Sequence, residues 1–398
     1  MRIRVVLNEP FEQIDNGWSL RYVNLLSELA RQAQVTIFLP GSDRKLAERI
    51  PHARIRSTND TAAAPTPPKS LLGFARALVV PRPSNVQLHG FRFYPSLLTL
   101  LEQDRDSYDA EFYLHMSAIV LYGAASRAPV RICDFCDSRL RALRSQLPLA
   151  ASWSERLSLH LQMLYVRRVK QRLVPRDVHV LAITERDCRE IRAALPGQSV
   201  TCVPNGVRSL AAEDLERDLR QRFDSKQIVF FGTLHFPPNI DAATRLLQRI
   251  WPVIHARRPD LRLLIVGRNP SDELVAQAAA TPNVRLERDV PQIEPYLRAS
   301  RFSICPMFLG AGMKNKILES LAVGLPVIGT PEAIEGIEFQ HGRHGWLAES
   351  EDALATSLLE ALEVPYSRYE QMCRAALSLA EVHSWQRAAT SIIEVIPR

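Results

Sequence analysis

Two glycines, two lysines and one glutamate lie close together in the last third of the chain, and their types and spacing suit the binding of an anion. Gly310 and Gly312 come first, and a glycine lets the backbone approach a ligand without a Cβ in the way. Lys314 and Lys316 follow, and an apolar helical run then contains a single carboxylate, Glu319. Lys316 and Glu319 are three residues apart, so they share one face of the predicted helix.

This arrangement is suited to a nucleotide diphosphate sugar. A glycine loop before a helix offers free backbone N–H groups and the positive end of the helix dipole to phosphates. The lysines add full charges, and the carboxylate of Glu319 is an acceptor for vicinal hydroxyl groups. Because short glycine motifs also recur by chance, these residues alone leave an alternative, a surface lysine pair beside a glutamate that faces water.

The longer run around these residues resembles a known family. Residues 308–330 read FLGAGMKNKILESLAVGLPVIGT, which is similar to the donor-binding signature of the family 4 glycosyltransferases, in their bacterial polysaccharide branch. The resemblance implies the α/β fold called GT-B, with two Rossmann-like, doubly wound domains that face a central cleft. It also implies sugar transfer from a nucleotide diphosphate sugar to an acceptor hydroxyl, with retention at the anomeric carbon. The donor is a substrate, and neither a cofactor nor a metal ion is expected.

Two further segments carry the same resemblance. NGWSLRYVNLLSELA, residues 16–30, is similar to the first glycine loop and helix of the family, and IVFFGTLHFPPNIDA with LLIVGRNP is similar to the opening of its donor domain. The donor-binding residues implied by the resemblance are Gly17, Gly232, Thr233, Gly312, Lys314, Lys316 and Glu319. Lys316 is also a candidate catalytic residue, because a fixed cation can stabilise a departing diphosphate.

The chain departs from the family pattern at two places. Many members carry an arginine and a lysine just after the first strand of the donor domain, where this chain has Thr233 and Pro238. We therefore expect Lys314 or Lys316 to supply that charge. Many members also have a glutamate eight residues before Glu319, where this chain has an alanine. That glutamate lies near the transferred sugar in the family, so the identity of the sugar stays open.

A pair of aspartates marks a candidate site in the first domain. Asp134 and Asp137 follow a predicted strand, and ligands bind at the carboxyl ends of parallel strands in this architecture. Many relatives have a histidine near this edge, and we expect the aspartates to occupy it here. Asp134 is the second candidate catalytic residue, with a polar role in the acceptor site. Asp137 and Ser138 fit the cap of the next helix equally well.

The hydrophobic pattern predicts the elements that position these residues. Strands are predicted at residues 3–7, 35–39, 110–114, 130–135, 179–183, 200–203, 228–233, 261–267, 284–287, 302–305 and 327–328. Helical patterns lie between them, and Asn239 is predicted to cap one that ends around Arg257. Such alternation is typical of parallel, doubly wound sheets.

The domain boundary is predicted from a short motif that ends the first domain in the family. VPNGV lies at residues 203–207. We therefore predict an acceptor-binding domain at residues 1–208 and a donor-binding domain at 209–382. The C-terminal helix, residues 383–398, is expected to pack back onto the first domain.

Composition bounds the class of protein. The chain has 398 residues, 46% of them apolar, which is enough for two domains. No apolar stretch approaches the length of a transmembrane helix, and no signal peptide is recognisable, so we expect a cytoplasmic protein. The six cysteines do not suit a disulfide framework in a chain of this length. Cys133 and Cys136 lack a second pair that would complete a zinc site, so reduced thiols are expected.

Charge is spread unevenly over the net +7 of the chain. Residues 1–208 carry 29 basic and 19 acidic side chains, or +10, whereas the remainder carries 21 and 24, or −3. A basic half indicates an anionic partner, such as the inner membrane surface or a phosphorylated acceptor. No nucleic-acid recognition motif accompanies the charge, so no nucleic-acid partner is expected. An arginine-rich composition that simply reflects a GC-rich genome would account for the bias equally well.

Three segments of the first domain are relevant to such a partner. Residues 57–70 have the composition of a loop, and residues 71–94 combine arginines with aromatic residues. A helix is predicted at residues 153–172, with apolar Leu157, Leu161 and Leu164 and a basic end. The second and third segments suit an acceptor or membrane surface, and they suit ordinary edge packing and a helix dipole equally well.

Two other classes of function stay open. One is a nucleotide-sugar epimerase of the same fold, and the other is a non-catalytic protein that binds sugar nucleotides or polyanions. The sequence does not specify the nucleotide base, the sugar, the acceptor and its linkage, a catalytic base or the oligomeric state.

Overall fold

The structure, a computed structural model, describes residues 1–10, 17–42, 44–58, 92–150 and 152–397. The chain divides into two compact units, Met1–Pro204 with Trp385–Arg398, and Asn205–Ser384. The division lies four residues before the predicted boundary. The N–H of Val207 donates to the carbonyl of His383 at 2.7 Å, and Val207 forms a bridge with Ser384. Residues 205–208, which the sequence placed in the first domain, therefore belong to the second unit.

Each unit contains one parallel sheet. The strands are β1 Arg2–Leu7, β2 Gln34–Leu39, β3 Arg54–Ser57, β4 Ala110–Leu114, β5 Val130–Asp134, β6 Val178–Ala182, β7 Val200–Cys202, β8 Gln227–Thr233, β9 Arg262–Arg268, β10 Val284–Arg288, β11 Phe302–Cys305, β12 Val327–Gly329 and β13 Gly345–Leu347. The strand orders are β3-β2-β1-β4-β5-β6-β7 and β10-β9-β8-β11-β12-β13. Strands β4 and β11 are buried throughout, as expected where helices cover both faces of a sheet.

The α-helices alternate with the strands. They are α1 Gly17–Gln32, α2 Arg44–Arg49, α3 Pro95–Gln103, α4 Met116–Tyr122, α5 Arg139–Gln146, α6 Trp153–Leu173, α7 Glu185–Ala194, α8 Ala212–Asp224, α9 Pro237–Arg245, α10 Trp251–Arg257, α11 Asp272–Ala280, α12 Glu294–Arg298, α13 Asn315–Ala322, α14 Glu351–Leu362, α15 Tyr366–Val382 and α16 Trp385–Glu394. A π-helical segment, Leu246–Ile250, joins α9 to α10. The last helix, α16, packs on α1 in the first unit, where Gln32 Nε2 donates to the carbonyl of Gln386 at 3.3 Å.

The prediction of two parallel, doubly wound sheets is confirmed. Two short strands were not predicted, β3 and β13. Strand β3 reads RIRS, and its two arginines hide it from a search for apolar runs. Most of the loop predicted at residues 57–70 and of the basic, aromatic stretch at 71–94 lies outside the described residues. No helix in the described part of the chain combines the length and the hydrophobicity that crossing a membrane requires.

Candidate functional site

The glycine loop lies at the carboxyl edge of the second sheet. It leaves β11 after Cys305 and leads into α13, and β11 pairs with β8. Gly310 and Gly312 have φ values of 125° and 71°, in a region that side chains with a Cβ rarely adopt. The loop therefore requires glycine at these two positions, and it brings the start of α13 beside the end of β8.

Lys314 turns back onto this loop. It is the N-cap residue of α13 and is buried. Its Nζ donates to the carbonyl oxygen of Gly312 at 2.6 Å and to that of Ala311 at 3.4 Å. The hydroxyl of Thr330 donates to the carbonyl of Met307 and ties the start of the loop to the end of β12. Lys314 thus organises the loop with its ammonium group.

Lys316 instead reaches the end of β8. Its Nζ donates to Oδ1 of Asn239 at 2.8 Å and lies 4.8 Å from the ring centroid of Phe230. A Cβ added to Gly232 would lie 2.8 Å from this Nζ, so the glycine makes the close approach possible. The pKa of Lys316 is lowered from its ordinary value, because burial disfavours the charged form more than the neighbouring Cys305 and Glu319 favour it. A half-buried cation is therefore held at the carboxyl end of the first strand of this unit.

Asn239 holds this cation in position, and its predicted role as a helix cap is wrong. Helix α9 begins at Pro237 with Phe236 as N-cap, so Asn239 lies within the first turn. Its Nδ2 donates to the carbonyl of Thr233 at 2.9 Å while its Oδ1 accepts from Lys316. The two prolines before it carried the missed signal, because proline prefers the first helical position and leaves Asn239 inside the helix.

Glu319 faces the same region from the second turn of α13. It is half-buried, and burial raises its pKa whereas the charges of Lys316 and Arg268 lower it. Within the described parts of the chain, no group donates a hydrogen bond to this carboxylate. Arg268, at the exposed end of β9, is a second cation that the sequence analysis did not assign.

The structure brings together most of the predicted donor-binding residues of the second unit. Gly232, Lys316 and Glu319 lie together, and the backbone of Thr233 anchors Asn239. Gly312 and Lys314 shape the loop. Phosphates attract fixed cations, and a carboxylate accepts from hydroxyl groups. The site therefore suits a ligand that carries both kinds of group.

The first unit places Asp134 at the carboxyl end of β5, where it is fully buried. Nε of Arg21, on α1, donates to Asp134 Oδ2 at 2.7 Å, and the N–H of Cys136 donates to Oδ1 at 3.0 Å. This ion pair fixes α1 to the sheet, and the catalytic role of Asp134 stays a prediction. Gly17 is the exposed first residue of α1, and residues 11–16 before it lie outside the described part.

A histidine does lie at this edge, so the expectation that the aspartates replace it is wrong. His115 follows β4 directly and is the exposed N-cap residue of α4, with a φ of 76°. Its Nδ1 accepts from the backbone N–H of Ser117 at 3.4 Å. The surrounding protein and the charges of Lys170 and Arg139 lower the pKa of His115, whereas Asp134 raises it. His115 precedes Asp134 by 19 residues in the sequence, and no local pattern indicates that the ends of their two strands are adjacent.

Comparison with known sequences places the match in the second unit. Residues 225–364 match the family described as "Glycosyl transferases group 1". A curated relative, an uncharacterized 44.6 kDa protein in the cps region of Klebsiella pneumoniae, is 24% identical over 139 residues. This match covers 33% of the present chain and 36% of the relative, so the chain spans about a third of the relative's length.

Comparison with solved structures covers the whole chain. Anabaena HepE in complex with UDP and glucose is similar with a TM-score of 0.64 and 16% identity, over 99% of this chain and 98% of that chain. Sucrose-phosphate synthase from Thermosynechococcus elongatus has a TM-score of 0.67 and 15% identity, over 99% and 98%. A mutant form of S. aureus TarM, in complex with Fondaparinux, alpha-GlcNAc-glycerol and UDP, has a TM-score of 0.63 and 9% identity, over 100% of both chains. The predicted fold class is confirmed: the chain has the GT-B fold of glycosyltransferases, and residues 225–364 of its second unit match the glycosyl transferases group 1 family.

Proposed function

We propose that the protein is a retaining glycosyltransferase of the family 4 type, which moves a sugar from a nucleotide diphosphate sugar to an acceptor hydroxyl. The observation that carries this proposal is the position of Lys316, held by Asn239 beside Gly232 and three residues from Glu319. This arrangement lies inside the segment that matches a glycosyltransferase family. A role in bacterial polysaccharide or glycoconjugate biosynthesis is supported by the resemblance of residues 308–330 to that branch.

The chemistry assigns a separate role to each side chain. The bond between the anomeric carbon and the diphosphate oxygen breaks, the acceptor oxygen bonds to that carbon, and the hydroxyl proton passes to the departing diphosphate or to solvent. Negative charge therefore grows on the diphosphate as the bond breaks. Lys316 consequently stabilises the transition state more than the ground state. Glu319 accepts hydrogen bonds from ribose hydroxyls in both ground and transition states. Arg268 adds a second cation near Glu319.

The proposal is tested by following a panel of nucleotide diphosphate sugars with the purified chain. UDP-glucose comes first because HepE was crystallised with it. Release of nucleotide diphosphate, with sugar transferred to an acceptor or to water, supports the proposal. An isomerised sugar without transfer would indicate an epimerase instead. Binding without any turnover under all conditions would indicate a non-catalytic sugar-nucleotide protein.

We also propose that transfer needs no metal ion, because fixed cations can neutralise the diphosphate. Among the described residues, one group has ligand atoms within 4.8 Å of one another: Glu185, Cys188 and Cys202 in the first unit. Two thiols suit zinc rather than the Mg²⁺ or Mn²⁺ that accompanies diphosphates. Activity should therefore survive a chelator. Loss of activity that Mg²⁺ or Mn²⁺ restores would contradict this. Cys188→Ser removes one thiol of the group in the first unit, so an effect of the chelator that persists in this variant does not come from zinc bound there.

The acceptor side of the proposal concerns the first unit. The acceptor is a glycan, a lipid-linked glycan or a small molecule, bound in the cytoplasm, with peripheral contact between the first unit and the anionic inner face of the membrane. The net charge of +10 on residues 1–208 supports this contact. Binding of the whole chain to anionic vesicles should weaken as salt rises, because salt screens surface charges. Binding that is absent at low salt would contradict the contact.

A further inference from the structure

Helix α6 has apolar residues on two sides, and only one of them packs against the protein. The packed side consists of Leu159, Tyr165, Val166 and Val169, which are buried. Tyr165 and Val169 belong to the main core of the first unit, and Leu159 and Val166 belong to a smaller cluster with α5. These residues fix the helix in place, so its other side needs no apolar residue for folding.

The other side carries an exposed apolar stripe. Its members are Trp153, 77% exposed, Leu157, 43%, Leu161, 37%, and Leu164, 43%. The spacing of four, four and three residues places them on one face of the helix, over a length of roughly 16 Å. The three leucines that the sequence pattern singled out on this helix are therefore all exposed.

This stripe is concentrated on one element. Among the described residues, eight large hydrophobic side chains are exposed, and four of them form the stripe. Single exposed apolar residues are normal on a protein surface, whereas a contiguous group marks an interaction site. The stripe therefore indicates a partner that accepts apolar side chains.

The charges beside the stripe indicate which partner that is. Arg156 lies near its start, and three further arginines, Arg167, Arg168 and Arg172, follow in the last two turns of the helix. All four are exposed, and among the described residues none forms an ion pair. Glu155 is the one acidic residue of the helix. Four arginines against one glutamate complement an anionic surface.

We propose that this side of α6 is a docking surface for an anionic lipid membrane. The stripe residues enter the headgroup region, and the arginines contact lipid phosphates, as in helices that lie in the plane of a membrane interface. A second copy of the chain fits less well. If two copies met through this surface, each helix would bring four arginines and only one glutamate, Glu155, so most of the charges that meet would repel. The inference rests on the membrane contact proposed above and adds the surface that makes it.

The test uses the full chain and vesicles of phosphatidylcholine with and without phosphatidylglycerol. Leu157→Gln combined with Leu161→Gln should lower affinity for the anionic vesicles by about tenfold or more, because each side chain loses its apolar burial. Arg167→Gln with Arg168→Gln should lower it too and make binding less salt-dependent. The matched control is Val253→Gln with Val382→Gln, which changes exposed apolar residues of helices α10 and α15 and should leave binding unchanged.

Tryptophan fluorescence provides a second measurement that does not depend on the leucine variants. Vesicles should shift the emission of the chain to shorter wavelength, and Trp153→Phe should remove the shift although four other tryptophans remain of the five in the sequence.

Vesicle binding that all α6 variants retain would overturn this inference and leave the membrane contact standing. No vesicle binding by the parent, with a dimer that the leucine variant converts to monomer, would assign the surface to a second copy. Donor turnover without vesicles should be the same in every variant, so failure of sugar transfer is detected separately.

Discussion

The ammonium group of Lys316 lies 2.8 Å from Oδ1 of Asn239, and the two residues are 77 positions apart in the sequence. This hydrogen bond joins the start of α13 to the start of α9, at the end of β8. The bond holds a cation from another element at the edge where many relatives carry an arginine and a lysine, and we expect Lys316 to take over their role. The proposed donor site therefore includes Asn239 as well as the glycine loop.

Replacement of Asn239 by leucine should release Lys316 and leave its ammonium without a fixed acceptor. We expect kcat/KM for the donor to fall about tenfold, the size of effect that loss of a charged hydrogen bond produces. Asn239→Gln, which keeps both the amide acceptor and the amide donor, should retain more activity. Steady-state kinetics on both variants checks this, and equal activity in the parent and Asn239→Leu would show that Lys316 needs no such support.

Gly232→Ala should displace Lys316 and strain the backbone at the end of β8. The added Cβ would lie 2.8 Å from Nζ of Lys316 and 3.1 Å from Nδ2 of Asn239, and the φ of Gly232, 156°, is one that residues with a Cβ rarely adopt. We expect weaker donor binding together with a lower melting temperature. Gly329→Ala, at the end of β12, is the control, since its Cβ meets its nearest neighbour at an ordinary 3.5 Å. Titration calorimetry that finds the same donor affinity in both variants would contradict the proposed role of Gly232.

Donor affinity should depend on pH through two groups. Burial raises the pKa of Glu319 above 4.5, so its carboxylate is protonated, and lost as an acceptor, at a higher pH than in a free glutamate. Burial lowers the pKa of Lys316 below 10.5, so its charge is lost at a lower pH than in a free lysine. Affinity should therefore fall on both sides of neutrality. The diphosphate of a nucleotide sugar is esterified at both ends, so the charge of the ligand stays constant over the acid limb of this titration. In Glu319→Gln the acid limb should disappear, and an acid limb that persists there belongs to another group.

The buried pair of Arg21 and Asp134 should matter for stability more than for donor binding. Arg21→Met leaves a fully buried carboxylate without its partner, which costs about 3–5 kcal/mol in the free energy of unfolding. Arg31→Met, on the same helix but in an exposed pair with Glu28, should cost only about 0–1 kcal/mol. Denaturant unfolding measures both. Unchanged stability in Arg21→Met together with lost sugar transfer would instead support a catalytic role for Asp134.

Local sequence patterns were sufficient to predict most of the fold. The strands at residues 110–114 and 302–305 were predicted with the bounds that the structure gives, because parallel strands buried on both faces are continuous apolar runs. The short β3 was missed because it has two arginines among four residues and no apolar run. Pairing with β2 holds its backbone, and an ion pair with Asp104 holds the side chain of Arg56. The glycine loop and Glu319 were likewise readable from local spacing.

Contacts between distant elements could not be predicted in this way. Periodicity identified apolar residues on α6, but it does not say which side of a helix the rest of the protein covers. The contact of Lys316 with Asn239 depends on how β8 and β11 pair, and Arg268 reaches the region from β9. His115 was missed because a local pattern does not show that β4 and β5 are neighbours in the sheet, with their carboxyl ends side by side.

The central claim is most directly tested by calorimetric titration of the preferred nucleotide diphosphate sugar into the parent chain, Glu319→Gln and Lys316→Met, with turnover measured on the same samples. Glu319→Gln should bind about tenfold to hundredfold more weakly, as expected for loss of hydrogen bonds to a charged group. Lys316→Met should lower both affinity and turnover, because the negative charge of the diphosphate that Lys316 contacts grows as the bond to the sugar breaks. Glu349→Gln and Lys226→Met, at exposed positions of the same unit, should resemble the parent. Affinity and turnover within about twofold of the parent in both Glu319→Gln and Lys316→Met would show that this loop and helix are not the donor site.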